Sequence, residues 1–339
     1  MNTRHETADC TIRPTIMAFA VRLGRSLLRI IVVAAILAGI GVAVLAIALR
    51  QPALTSLSFK GSLRADPVRL LHHVTFLTDD VRPRSASHPE NLDRAARYIA
   101  DRFRAANGAT SVQTFSARGN EYSNVIARWG SSDPKLPVLI IGAHYDAFSA
   151  NDDLPGADDN ASGTAGLLEL ARLLGEHPVT SPVLLVAYTT EEPPFFGSEE
   201  MGSAVHAKSM SAERQPVRGM ISLEMIGYFS HEQSWPNALF ELLYPSTGDF
   251  IGVVGGWPDR SLARFVKRAI AGSGGVPVVS FRVRARPPTP RIIATTGVTA
   301  GVRSSSPTPR FCEIPTITRA SILPTRSTIS GWHASSTAC

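Results

Sequence analysis

Val138-Leu139-Ile140-Ile141-Gly142-Ala143-His144-Tyr145-Asp146 begins as a short continuous apolar run and ends in an imidazole and a carboxylate. The run Val138 to Ile141 reads as a strand buried on both faces, the kind found inside parallel sheets. Val183 to Tyr188 is a second such run. Between them Ser162 to Leu174 reads as a helix, with Leu167, Leu168, Leu170, Ala171 and Leu174 on its buried face. Together they make a βαβ unit, and in such units ligands collect outside the carboxyl ends of the strands. Outward from this unit, helical and strand-like segments alternate from Asp66 to about Ser280. One helix is expected over Pro89 to Ala106, burying Leu92, Ala95, Ala96, Ile99 and Phe103. The expected fold class is α/β, a three-layer sandwich with a mostly parallel mixed sheet.

The strand ends carry the chemistry. Asp146 follows His144 by two residues, and a carboxylate placed there orients a metal-binding imidazole and raises its basicity. Gly156-Ala157-Asp158-Asp159-Asn160-Ala161-Ser162-Gly163 brings two adjacent carboxylates to a helix start. Helix capping is one reading of that box. A calcium loop is another, although the alternating Asp spacing and downstream Glu of an EF-hand are absent. After the second strand comes Thr189-Thr190-Glu191-Glu192, a carboxylate pair leaving an apolar run, where desolvation is costly without a cation. One of the pair binds a metal while its neighbour accepts a proton, as metal-assisted hydrolysis requires. Met220-Ile221-Ser222-Leu223-Glu224 ends a further apolar run in a carboxylate. His177, His206 and His231 read as solvated or structural.

In this order, His144-x-Asp146, the GADDNASG box, Glu191-Glu192 and Glu224 resemble the co-catalytic zinc aminopeptidases of peptidase family M28. The resemblance runs from about Pro83 to Ser280. It implies that His144 and Glu224 hold one zinc, that Asp159 bridges two zinc ions and that Glu192 helps hold the second. It further implies Glu191 as general base and Asp146 as the partner of His144. The implied reaction is hydrolysis of the amino-terminal peptide bond of a peptide or protein with a free amino terminus. Fold does not fix function, so a non-catalytic anchored pseudo-peptidase, a single-zinc aminoacyl cyclase and a carboxypeptidase stay open on the same scaffold.

The family pattern has one further ligand, a His in a Ser-Asp-His-like stretch near the carboxyl end. Beyond His231 this chain has only His333, and from Arg260 onward its sole acidic residue is Glu313. Residues 284–339 are mostly Ser, Thr, Pro and Arg without sustained periodicity, an aberrant tail that is either disordered or the product of a frameshift near residues 283–290. Reading each codon's third base with the next two lets Pro290-Arg291-Ile292-Ile293 become Ser-Asp-His. The same frame lets Phe311 to Thr318 become Leu-Arg-Asn-Pro-His-Tyr-His, and Pro324 to Ile329 become Asp-Thr-Leu-Asp-Tyr. Residues 50–283 are therefore expected to form a zinc peptidase domain whose second metal site is incomplete.

Ile30 to Leu49 is an unbroken apolar run of a length that spans the hydrocarbon core of a bilayer, about 30 Å. Arg13, Arg22, Arg25 and Arg29 precede it and Arg50 follows. The excess of positive charge predicts a cytoplasmic segment over 1–29, a transmembrane helix over 30–49 and an extracytoplasmic catalytic domain, periplasmic or extracellular. A cleaved signal peptide is the rival, but its apolar region is normally shorter. The formal charge is +6, yet the arginines gather at the two ends without an interleaved aromatic stripe, so no nucleic-acid partner is expected. Cys10, Cys312 and Cys339 lie far apart, which indicates neither a disulfide framework nor a thiolate zinc site.

Overall fold

The computed structural model describes residues 9–50, 57, 63–148, 154–235, 238–256, 258–273, 275–283 and 297–301. The chain divides into two units, Met1–Pro52 and Ala53–Cys339. In the first, Asp9–Arg50 form one 42-residue helix, α1. Its stretch Val21–Ala48 is long and apolar enough to cross a membrane, by length and composition. The helix starts well before the apolar run at Ile30, because the preceding Met17 to Arg29 is rich in Ala, Leu and Arg, which favour helix.

The second unit holds α2 (Pro67–Thr75), a π-helical turn (Phe76–Asp80), α3 (Pro89–Ala105), β1 (Ala109–Ala117), β2 (Asn120–Trp129) and β3 (Val138–His144). A second π-helical turn (Ala157–Ser162) runs into α4 (Gly163–Glu176), followed by β4 (Val183–Tyr188), α5 (Gly202–Ala212) and β5 (Val217–Glu224). The remaining elements are α6 (Ala238–Leu243), β6 (Ile251–Gly256), α7 (Arg260–Ser273), β7 (Val278–Val283) and β8 (Gly297–Gly301). Local chemistry explains several boundaries. Asp66 accepts the N–H groups of Val68 and Arg69, and Pro67 opens α2. Arg118 and Gly119 both have positive φ, as the tight turn between β1 and β2 requires.

The strands form one sheet in the order β1-β2-β4-β3-β5-β8-β6-β7. β3 lies parallel to both β4 and β5, and β6 lies parallel to β7 and β8. The antiparallel contacts are β1 with β2, β2 with β4, and β5 with β8. Alternate residues face opposite layers. Val125, Ala127, Ala143, Leu185 and Ala187 pack with Leu92, Ile99 and Phe103 of α3 and Leu167, Leu168 and Ala171 of α4. Their neighbours Ile126, Ile140, Leu184, Val186 and Met220 pack on the other face with Met210 of α5. These are the three layers expected. α7 adds Ala263 and Val266 against Val253 and Ile221.

The expected βαβ unit is β3, α4 and β4, and the helix expected over Pro89 to Ala106 is α3. Within the stretch read as an aberrant tail, Gly297–Gly301 forms a strand between β5 and β6 that the sequence reading did not anticipate. His333 and the remainder of 284–339 lie outside the described residues.

Candidate metal centre

The three adjacent parallel strands β4, β3 and β5 deliver their carboxyl ends to one place. His144 is the last residue of β3, Glu224 the last of β5, and Glu191-Glu192 follow β4 by a short turn. That turn is bent by Thr190, which has a left-handed backbone at φ 55° despite its branched side chain. Its hydroxyl accepts the N–H of Gly202 and has the carbonyls of Thr189 and Glu200 within reach of its one proton. Met225, directly after Glu224, is also left-handed, at φ 49°.

His144 is buried, and its Nε2 has no hydrogen-bond partner. Facing that nitrogen are Glu224 Oε1 at 2.7 Å, Asp159 Oδ1 at 3.2 Å and Glu191 Oε2 at 3.7 Å. On the other side of the ring, Nδ1 lies 3.1 Å from the Asp146 carbonyl and 3.4 Å from its Oδ1. Asp146 Oδ2 accepts the N–H of Glu192 at 2.9 Å, so this one residue meets the imidazole with its carbonyl and holds the Glu191-Glu192 turn with its carboxylate.

The electrostatics are those of a site short of positive charge. Burial would hold the His144 imidazole neutral, but the carboxylates of Glu224 and Glu191 push its pKa well above the ordinary value. Burial pushes Glu191 well above the usual carboxylate range, Glu192 up to about 8, and Glu224 upward as well. For Asp159 burial also acts upward, but the nearby His144 imidazole prevails and brings it below its ordinary value. A cation removes the conflict, since it favours neutral imidazole and ionised carboxylates together.

Among the described residues, two sets of donor atoms could hold a metal ion, His144 with Asp159 and Glu224, and His144 with Glu191 and Glu192. Nitrogen and carboxylate oxygen donors around a buried imidazole suit zinc. Both sets draw on the single imidazole of His144. All six residues singled out from sequence, His144, Asp146, Asp159, Glu191, Glu192 and Glu224, therefore meet at this one centre. His206 instead lies buried with its Nδ1 2.9 Å from the Tyr188 hydroxyl, while His177 and His231 are exposed.

Sequence reasoning missed Arg84. Its side chain is fully buried and donates from Nε to the Tyr145 carbonyl at 2.8 Å, from Nη1 to Leu77 and Pro155, and from Nη2 to Gly156 at 2.9 Å. One guanidinium thus ties the segment after His144 to the start of the Gly156–Gly163 box. Burial pulls its pKa down to about 10, against the charges of Asp146 and Asp159. A lone Arg between Pro83 and Ser85 carries no local signal of this role.

A family model described as Peptidase family M28 matches residues 124–248, a span that contains all six residues. The chain is 48% identical over 225 residues to YfbL of Escherichia coli (strain K12), an alignment covering 64% of this chain and 68% of that protein. It is 36% identical over 111 residues to a protein of Pyrenophora tritici-repentis (strain Pt-1C-BFP) called a probable zinc metalloprotease, covering 31% of this chain and 22% of that one. Among solved structures, LapA of Legionella pneumophila has a TM-score of 0.51 at 21% identity, over 66% of this chain and 57% of that one, a likeness of fold.

Proposed function

The chain belongs to peptidase family M28, and from that premise we propose that it is a membrane-anchored zinc exopeptidase that hydrolyses the amino-terminal peptide bond of its substrate. The observation that carries the reading is the buried Nε2 of His144, without a hydrogen-bond partner and faced by three carboxylates from three different chain segments. His144, Asp159 and Glu224 would hold a first zinc, and Glu192 would help to hold a second. Zinc bound there supplies Lewis acidity toward the scissile carbonyl and lowers the pKa of water.

The protein's own groups do the rest. Asp146 keeps the His144 ring oriented through Nδ1 and leaves Nε2 free to donate its lone pair. Glu191 takes a proton from the attacking water and returns it to the leaving amine, a role suited to a carboxyl whose pKa burial raises. The apolar run Ile30 to Leu49 anchors the chain, with Arg22, Arg25 and Arg29 on the cytoplasmic side and the catalytic domain outside.

Glu191→Gln tests the assignment, with activity read on aminoacyl anilides and on the same compounds with blocked amines. The expected result is a kcat lower by about 10²- to 10⁴-fold with the zinc at His144, Asp159 and Glu224 retained, and no turnover of blocked substrates by the parent chain. Equal cleavage of blocked and free substrates removes the exopeptidase reading. A second reading follows from the sharing of one imidazole by both donor sets. In it the chain holds a single zinc and binds peptides without cleaving them, and zinc content with no turnover of any substrate assigns it that role.

A further inference from the structure

The Gly156–Gly163 box carries more polar groups than a metal requires, and the surplus converges on the residues around Glu224. Three consecutive N–H groups that follow Glu224 each donate to a different side chain of the box. Met225 donates to Asn160 Oδ1 at 3.1 Å, Ile226 to Ser162 Oγ at 2.9 Å and Gly227 to Asp158 Oδ1 at 2.7 Å. On the near side of Glu224, the Leu223 carbonyl accepts from Asn160 Nδ2 at 2.9 Å. The amide of Asn160 therefore grips the backbone on both sides of Glu224. Ser162 Oγ donates to the Asp158 carbonyl at 2.7 Å and braces the box itself. Asn160, Ser162 and Glu224 are all buried.

Two glycines make this approach possible. A Cβ at Gly163 would lie 2.3 Å from Asn160 Oδ1 and 2.5 Å from the Leu223 carbonyl oxygen. A Cβ at Gly227 would lie 2.6 Å from the Ser162 Cβ. Asp159, in the middle of the same box, instead turns its carboxylate to His144 Nε2.

We infer that Asp158, Asn160 and Ser162 form a positioning clamp that sets the separation of Asp159 and Glu224, and through it the affinity of the centre for zinc. None of the three is itself a ligand. The two adjacent carboxylates of the box thereby have different tasks, Asp158 as hydrogen-bond acceptor and Asp159 as metal-facing group. The inference rests on the metallopeptidase reading above, because it needs a metal to position for.

The test is zinc affinity of the full chain in detergent micelles, measured by competition with a chromogenic chelator well below each protein's unfolding midpoint. Asn160→Ala and Asp158→Ala are expected to weaken zinc binding about 10- to 100-fold, the usual effect of removing groups that orient metal ligands. Asp158→Asn keeps an oxygen for the Gly227 N–H and is expected to stay within about threefold of the parent, less than the tenfold that 1.4 kcal/mol would bring. Should Asn160→Ala fold poorly, Ser162→Ala removes the acceptor of the Ile226 N–H together with the brace to the Asp158 carbonyl, two hydrogen bonds, and is expected to cost about 5- to 30-fold.

Asp158→Asn weakening zinc as much as Asp158→Ala would show that charge is what matters, and would overturn the acceptor role. Variants that unfold at lower temperature but bind zinc as tightly as the parent make the ladder merely structural and overturn the clamp alone. A parent chain that takes up no zinc overturns the metallopeptidase reading and the clamp together.

Discussion

Replacing His206 with Asn should make the folded chain less sensitive to acid. His206 is buried in α5, and burial drives its pKa from the ordinary 6.5 down to about 4. Unfolding releases it to water, where it takes up a proton that the native state refuses. Between pH 6.5 and 4 the unfolded state therefore binds more protons, and stability falls as pH falls, being fully retained above about pH 6.5. With one proton worth about 1.36 kcal/mol per pH unit, moving from pH 7.5 to pH 5 should cost about 2 kcal/mol through this residue. Asn can offer a polar atom near the position of Nδ1 to the Tyr188 hydroxyl, 2.9 Å away in the parent, so the exchange leaves that hydroxyl a partner. Urea unfolding of the detergent-solubilised chain at the two pH values gives the quantity directly, as the difference between parent and variant in stability lost. Contributions shared by both proteins cancel, including that of His73, which burial also lowers to about 4. A variant that loses as much stability as the parent between pH 7.5 and 5 would refute the reasoning and show that His206 titrates freely in the fold.

Other outcomes follow from the same structure. Arg84→Met orphans carbonyls of Leu77, Tyr145, Pro155 and Gly156, and should destabilise the domain by at least about 2 kcal/mol while weakening zinc binding, measured by urea unfolding and chelator competition. Stripping zinc with a chelator should lower the thermal midpoint, and restoring zinc to about 100 times its Kd should return about 2.7 kcal/mol; an unchanged midpoint counts against a metal at His144. Gly163→Ala places a Cβ 2.3 Å from Asn160 Oδ1 and should cost about 1–3 kcal/mol of stability by the same unfolding assay, the range for overpacking. Removing residues 1–52 should move the protein from the membrane fraction to the soluble fraction of lysed cells, and persistence at the membrane would assign the anchoring elsewhere.

How much of this was legible beforehand depends on how local each signal is. β3, β4 and α4 were readable because apolar runs and helical periodicity lie within a few consecutive residues. β6 was not, since Ile251-Gly252-Val253-Val254-Gly255-Gly256 is half glycine and resembles a loop. β8, Gly297-Val298-Thr299-Ala300-Gly301, is likewise built of small residues without a bounding apolar pattern. At the centre, the imidazole and most of the carboxylates could be named because they sit at or just beyond strand ends, and Asp159 because it lies in a glycine-flanked box at a helix start. The division of labour between Asp158 and Asp159 could not be read from spacing, since the two are neighbours of identical chemistry. It becomes visible only when Gly227 is brought to one and His144 to the other. Arg84 and Asn160 were hidden for the same reason, because their partners are backbone groups far along the chain.

Among the described residues, β1 stands at one border of the sheet, with β2 as its sole neighbour. Its sequence, Ala109-Thr110-Ser111-Val112-Gln113-Thr114-Phe115-Ser116-Ala117, is dominated by hydroxyl and amide side chains. A border strand offers a row of open backbone groups on which another chain could crystallise into a continued ribbon, and polar side chains keep that row hydrated and unattractive. For a protein held at high local density, such a border is a safeguard of solubility. Exchanging the exposed Ser111 and Ser116 for Val would convert it into a nucleus for aggregation without touching the metal centre.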